Sequence, residues 1–449
     1  MLKFYLVTDT HFYPAGTLGF SDNMDQKCMN ESGPIIDSAF DILAAKQDSD
    51  IILIAGDLSN NGERPGHEQF IQKLHKLKDS GKRIYVVTAT HDYGLREVFE
   101  DGKSENDNPQ NLVSREELWD MYYEFGPKDA IAENVRYLSY VVQLAPGYRL
   151  LCLNDDGNGR SFCGYNSEQL QWILEQIKKA EDDGEFLFAM THHPVLPPTP
   201  IFPMFSRRDM LGDFERTSAI LANAGLRFIF TGHAHMQNIE SITTPQGSKL
   251  WDINTGSLVG YPMPIRSVVI DESSMNITTE HVDTFDWDFG GKNVKQYMID
   301  HFDRLLNTLF DAMAFDIDKL ASMSGGFSIE SETVYKFKTP ITFVGKIFQK
   351  LTLGRAGSLL LCKKKIDPLV RNLLLKDLVI EFIRNVYIGV EPYSEDTTLG
   401  SAILTLCKRL APIAKPILKK TPITDLPSFV GSLIYDPTPD SEAVLPLYD

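Results

Sequence analysis

Five short clusters in this 449-residue chain combine acids with histidines: Asp9-Thr10-His11, Gly56-Asp57, Thr90-His91-Asp92, His192-His193-Pro194 and Gly232-His233-Ala234-His235. Six of the ten histidines fall in them. Carboxylate oxygens mixed with imidazole nitrogens suit Mn²⁺, Fe or Zn²⁺, not Ca²⁺ and not a thiolate site. In Asp-x-His and His-x-His the two side chains lie two residues apart, so an extended segment turns both to one face. Two such pairs and a bridging carboxylate are enough for two cations ~3.5–4 Å apart.

The elements that must position these side chains are legible. Each cluster follows an apolar run, at residues 2–7, 50–55, 83–89, 186–190 and 227–231. Short apolar runs ending in a polar residue read as buried strands of a sheet covered on both faces, and open α/β sheets bind ligands at the carboxyl ends of their strands. Ser32-Gly33-Pro34 starts a helix between the first two strands, and residues 67–77 form an amphipathic one. Ser114-Arg115-Glu116-Glu117 is a capping box whose helix stops at Gly126-Pro127. Further strands are predicted at 138–144, 148–154, 249–254, 267–271 and 277–282, and helices at 167–180 and 213–225. The polar stretch 100–111 reads as a surface loop. Past Asp288-Phe289-Gly290-Gly291 the pattern turns helical, at 293–323, 367–387 and 398–410. From Asp436 on, the chain is Pro-rich and acidic and is expected to be partly disordered. The predicted architecture is α/β: a two-sheet sandwich flanked by helices (1–283), a linker (284–291) and a mainly α-helical C-terminal domain (292–449).

Composition bounds the partners. A net charge of −17 argues against free nucleic acid, although the stretch from Lys336 to Lys420 is basic. Five scattered cysteines without a CxxC pattern suit a reducing, cytoplasmic setting. The first strand begins at Leu2, which leaves no room for a signal peptide ahead of it, and no stretch reaches the ~20 apolar residues of a membrane span. Lys363-Lys364-Lys365 and the apolar segment after them fit either an anionic membrane surface or a bundle that covers its own apolar faces. Composition leaves the oligomeric state open.

The five ordered blocks resemble the calcineurin-like metallophosphoesterases, whose marks are D-x-H, G-D, G-N-H-[D/E], a strand ending in H, and G-H-x-H. Residues 164–173 and Asn254-Thr255-Gly256-Ser257 look like the cyclic-nucleotide phosphodiesterase branch. The resemblance covers about residues 1–283. It implies two divalent metal ions, Mn, Fe or Zn. One is held by Asp9, His11 and His235, the other by His192 and His233, with Asp57 bridging. The residue before His91 completes the second site in the family. It is Asn there and Thr90 here, so either Thr90 ligates weakly, or water or another residue takes the position, and the second metal is the weaker. The resemblance also implies that His91, fixed by Asp92, assists the leaving group. His193, Arg207 and Arg208 are candidate substrate contacts; the loop carrying the two arginines either meets substrate or packs on the C-terminal helices. The expected activity is hydrolysis of small or cyclic-nucleotide-like phosphodiesters. A phosphomonoesterase or nuclease on the same site, or a catalytically weakened scaffold, are the rivals.

Overall fold

The computed structural model describes residues 1–14, 26–94, 111–157, 163–324, 331–419 and 421–448, so the polar stretch 100–111 lies almost wholly outside them. Strands β1 (Leu2–Val7), β2 (Ile51–Ala55) and β3 (Arg83–Val87) run parallel side by side. A second sheet contains β4 (Ala130–Asn134), β5 (Ser139–Ala145), β6 (Tyr148–Cys152), β7 (Phe186–Met190), β8 (Phe228–Thr231), β9 (Asn238–Thr243) and β10 (Lys249–Asn254). Its order is β4-β5-β6-β7-β8-β10-β9, with β6, β7, β8 and β10 parallel. Strands β11 (Pro264–Ile270) and β12 (Ser274–His281) extend the first sheet antiparallel beyond β1. β13 (Ala443–Pro446), from the far end of the chain, closes that edge.

The two sheets face each other. In β7, Phe188 and Met190 point into the space between the sheets while Leu187 and Ala189 point to an outer cluster, the alternation a pleated strand imposes. Across the gap, the Phe4 ring of β1 stacks on Phe188 at 5.3 Å and meets Phe230 edge-on at 5.4 Å. The helices Ser32–Ala45 and Arg64–Asp79 bury Ile36, Leu43, Phe70 and Leu74 in the first sheet's cluster. The helices Ser167–Asp182 and Phe214–Asn223 bury Ile173, Ile177 and Leu221 in the second's. The result is a four-layer sandwich in which the parallel strands carry their polar ends to the ligand clusters.

The helical region is longer than its periodicity suggests. The helix Val294–Phe315 packs on the sandwich through Met298 and Phe302, the latter 5.8 Å from the Tyr261 ring. The helices Lys338–Phe348, Leu353–Leu359 and Leu426–Ile434 have no counterpart in the sequence reading. The helix predicted from 367 begins only at Leu375. The Asp367 side chain caps a single short turn, Pro368–Val370, after which Leu374 bridges to Thr352 in extended form. The expected disorder after Asp436 is replaced by β13. The buried Arg266 guanidinium fastens this returning segment, donating to the Asp440 carbonyl (2.9 Å), the Asn254 carbonyl (2.7 Å) and Thr255 Oγ1 (2.9 Å).

Candidate metal centre

The parallel ladders run on into the ligand-bearing turns. Asp9 N donates to the Gly56 carbonyl, His11 N to the Asp57 carbonyl, and Gly232 N to the His192 carbonyl. These bonds bring the ends of β1, β2, β7 and β8 to one point. Two glycines make the approach possible: a Cβ on Gly56 would collide with the His192 ring, and one on Gly232 with Thr8 and Asp9. The turns are tight enough that Asp9, His11, Asp57, His233 and His235 all have positive φ, between 35° and 64°. Such angles are uncommon outside glycine, and their concentration in one place marks a constrained functional site.

Two groups of side chains result. Asp9, His11 and His235 present ligand atoms all within 4.8 Å of one another, and so do Asp57, His192 and His233. His11 Nε2 and His235 Nε2 lie 3.1 Å apart, with Asp9 Oδ1 at 3.7 and 3.3 Å from them. In the second group His192 Nε2 is 3.0 Å from Asp57 Oδ2 and 3.3 Å from His233 Nδ1. Asp57 Oδ2 also lies 3.7 Å from His11 Nε2, so this one carboxylate reaches both groups.

Surrounding bonds fix which atoms face inward. His192 Nδ1 sits 2.8 Å from the Ala55 carbonyl, leaving Nε2 free, and His235 Nδ1 sits 2.7 Å from Gln26 Oε1. This is the outer support that ligating imidazoles need. Asp9 Oδ2 accepts from Thr8 Oγ1 and from His233 N, and Asp57 Oδ1 accepts from His91 N.

Charge decides whether a cation fits. Asp9 and Asp57 are buried, and among the described residues no lysine or arginine pairs with either. Burial alone would raise their pKa, but His235 and His192 hold Asp9, and His192 and His91 hold Asp57, well below the ordinary carboxylate value. Burial drives His11 down to about 3 and keeps His233 well below the usual imidazole value. Against its burial, Asp57 and then Asp9 lift His192 to about 9. Buried carboxylates held ionised opposite imidazoles, two of which burial keeps from charging, match a site that exchanges protons for divalent cations. The donor set fits two such ions.

Other candidate residues fall less simply. Thr90 opens the short turn Thr90–Asp92 after β3. The His91 ring stands edge-on to His11 at 4.9 Å. Its Nδ1 bonds the Asn60 carbonyl, not Asp92. Asp92 points the other way and accepts from Ser59 N and Ala89 N, both at 2.8 Å. It clamps the turn's backbone, and burial together with Asp57 raises its pKa to about 8. His193 lies against His233, ring centroids 4.1 Å apart, with Nδ1 2.8 Å from Asp155 Oδ1. Arg207 makes a forked pair with Glu215 at 2.8 Å and stacks over Phe214, so it is engaged away from the cluster; Arg208 is exposed. The loop between them and the strand packs on the helices: Ile201 and Ser206 line an apolar pocket with Met313, Phe337 and Ile341.

Sequence reasoning missed several supports. Asp155 gathers Thr191 Oγ1, His192 N and His193 N on one oxygen and so orients the whole 191–193 turn. The available signal was its position at a strand end, which it shares with the other acids. In the segment 254–257, which the sequence does single out, Asn254 donates to the Gly232 carbonyl and Ser257 to the Asp9 carbonyl. His67 is buried and sits 2.8 Å from the Asp92 carbonyl.

A protein of Arcobacter nitrofigilis named as a probable glycerophosphodiester phosphodiesterase is 26% identical over 188 residues, 42% of this chain and 55% of that protein. The chain thus spans about half the length of this curated relative. Among solved structures, a dimetal phosphatase from Danio rerio is 13% identical with a TM-score of 0.44, covering 63% of this chain and 97% of the other. A purple acid phosphatase from yellow lupin is 13% identical with a TM-score of 0.39, covering 62% and 51%. The family model described as calcineurin-like phosphoesterase matches residues 2–237, more than half of the chain, and the chain belongs to that family.

Proposed function

We propose that this protein is a phosphodiesterase that hydrolyses small phosphodiesters at a pair of divalent metal ions, Mn, Fe or Zn. The observation that carries the reading is the pair of facing ligand groups with Asp57 reaching both. In this reading Asp9, His11, His235 and Asp57 hold the first ion, and Asp57, His192 and His233 hold the second with Thr90 as a weak neutral ligand. Held by these residues, two such ions would supply Lewis acidity toward the phosphoryl oxygens and a water nucleophile at neutral pH. His91 then works on the leaving group. The Asn60 carbonyl can only accept, so His91 Nδ1 carries a hydrogen and Nε2 is left to hold or give the proton at the leaving oxygen. Asp92 keeps the turn closed around His91. His193, positioned by Asp155, is a candidate contact for a phosphate oxygen.

The preference for diesters draws on the similarity to the Arcobacter protein named as a probable glycerophosphodiester phosphodiesterase. A net charge of −17 favours small substrates over long nucleic acid. The five free cysteines suit a cytoplasmic setting. Residues 1–283 carry the chemistry, 284–291 link, and 292–449 form the helical part, apart from the returning edge strand β13. The test is hydrolysis of an aryl phosphodiester, an aryl phosphomonoester and single-stranded DNA by the wild type with each divalent metal. The diester should turn over fastest and stop with chelator. Faster monoester or DNA cleavage would favour the rival phosphatase or nuclease, and no hydrolysis at all would favour a scaffold.

A further inference from the structure

The helical region carries a feature that the chemistry above does not use. Between Lys336 and Lys420 stand sixteen Lys and Arg against six Asp and Glu, a net of +10 inside a chain of net −17. Within that region the helix Leu353–Leu359 ends in a loop whose leucines face water: Leu359 is 75% exposed, Leu361 88% and Leu369 86%. Leu361 adopts a φ of +56°, which is unfavourable for a bulky side chain and holds it outside the small core below. Lys363, Lys364 and Lys365 lie between these leucines, all exposed. An open apolar cleft of about 480 Å³ runs from Leu359 to Ile347 of the helix Lys338–Phe348, edged by Lys346, Lys350 and Arg355. Phe343, 66% exposed, belongs to the same helix. Among the described residues none of these five lysines pairs with a carboxylate.

We propose that this surface docks the enzyme on an anionic lipid bilayer, with the leucine loop entering the headgroup boundary and the lysines meeting lipid phosphates. Apolar side chains at loop tips collared by unpaired lysines are suited to an interface that is apolar inside and negative outside. A protein partner is a poorer match, because the cores of protein interfaces are depleted of lysine and built on aromatic and arginine anchors. Lysine stems also lie along apolar surface while the ammonium stays at the phosphates. The contact is peripheral: no helix among the described residues is long and apolar enough to cross a membrane.

The full chain should co-sediment with phosphatidylcholine vesicles that contain phosphatidylglycerol, release at high salt, and stay in solution with phosphatidylcholine alone. Lys363→Glu/Lys364→Glu/Lys365→Glu and, separately, Leu359→Ser/Leu361→Ser should each lower the bound fraction at least about tenfold. All these side chains are exposed, so aryl-diester hydrolysis by both variants should match the wild type and report an intact fold. Equal sedimentation with neutral and anionic vesicles, or undiminished binding by either variant, would overturn the proposal. So would a wild type that ignores vesicles but forms a dimer that the leucine variant dissociates, which would make the surface a contact between copies.

Discussion

Two of the places where this protein buries carboxylates have chemistry that runs in opposite directions. At the strand ends, Asp9 and Asp57 face imidazoles and are held well below the ordinary carboxylate value. At the seam where the last segment returns, Glu391 and Asp440 are buried beside each other and beside Asp436. Burial and then these like charges push Glu391 up to about 8, and burial and Asp436 push Asp440 up to about 7. Arg266 moderates Asp440 only in part. The comparison teaches that burying an acid does not make a metal site. Partners do: neutral nitrogens aimed at the same point prepare a place for a cation, whereas neighbouring acids ask for a proton.

That contrast can be broken at either end. The largest effect belongs to the carboxylate that reaches both ligand groups. Asp57→Asn should lower Mn²⁺-dependent hydrolysis of an aryl phosphodiester by at least about 10³-fold, measured as turnover at saturating metal. His91→Ala should lower turnover by about 10²–10⁴-fold while metal content, read by elemental analysis, stays near wild type. Loss of metal in that variant would instead make His91 a ligand.

At the seam the effects are on stability. Arg266→Ala leaves three buried acceptors without their donor and should cost about 3–5 kcal/mol in denaturant unfolding. Glu391 and Asp440 have folded-state pKa values above their unfolded ones, so the folded chain holds their protons more tightly. The stabilisation this gives is complete below about pH 4 and is lost as pH rises through about 7–8. The unfolding midpoint should therefore fall by a few degrees between about pH 5 and about pH 8.5 through this seam, and Glu391→Gln should flatten the slope. An unchanged slope in that variant would place the titration elsewhere.

The fold was legible where the pattern was local. Apolar runs such as Ile51–Ala55 and Phe186–Met190 announce strands, and the residues that follow them announce candidate ligands. Long-range choices were not legible. Nothing in residues 443–446 says that they pair with β12, because that edge exists only once the first sheet has formed. Thr352 and Leu374 delay a helix that local propensity starts at Asp367. In the site, ligand types stood out because acids and histidines rarely cluster at strand ends. Their supports did not: Asp155, Gln26 and Asn60 act through orientation, and the Asn60 contribution is a backbone carbonyl that no side-chain pattern encodes. The same blindness assigned Asp92 to His91, when its oxygens are spent on two backbone N–H groups.

The smallest change probes the finest distinction. Thr90→Asn restores the amide oxygen that the family resemblance places before His91 and should tighten only the ion proposed for the Asp57, His192 and His233 group, by about 10-fold. The measurement that tests the central claim most directly is a calorimetric titration of Mn²⁺ into the metal-free chain, with the Thr90→Asn variant alongside. Two ions per chain, bound in two unequal steps that draw together in the variant, is the predicted result. A single ion, two equal steps in the wild type, or no binding would contradict the assignment of the strand-end carboxylates to a pair of unequal metals.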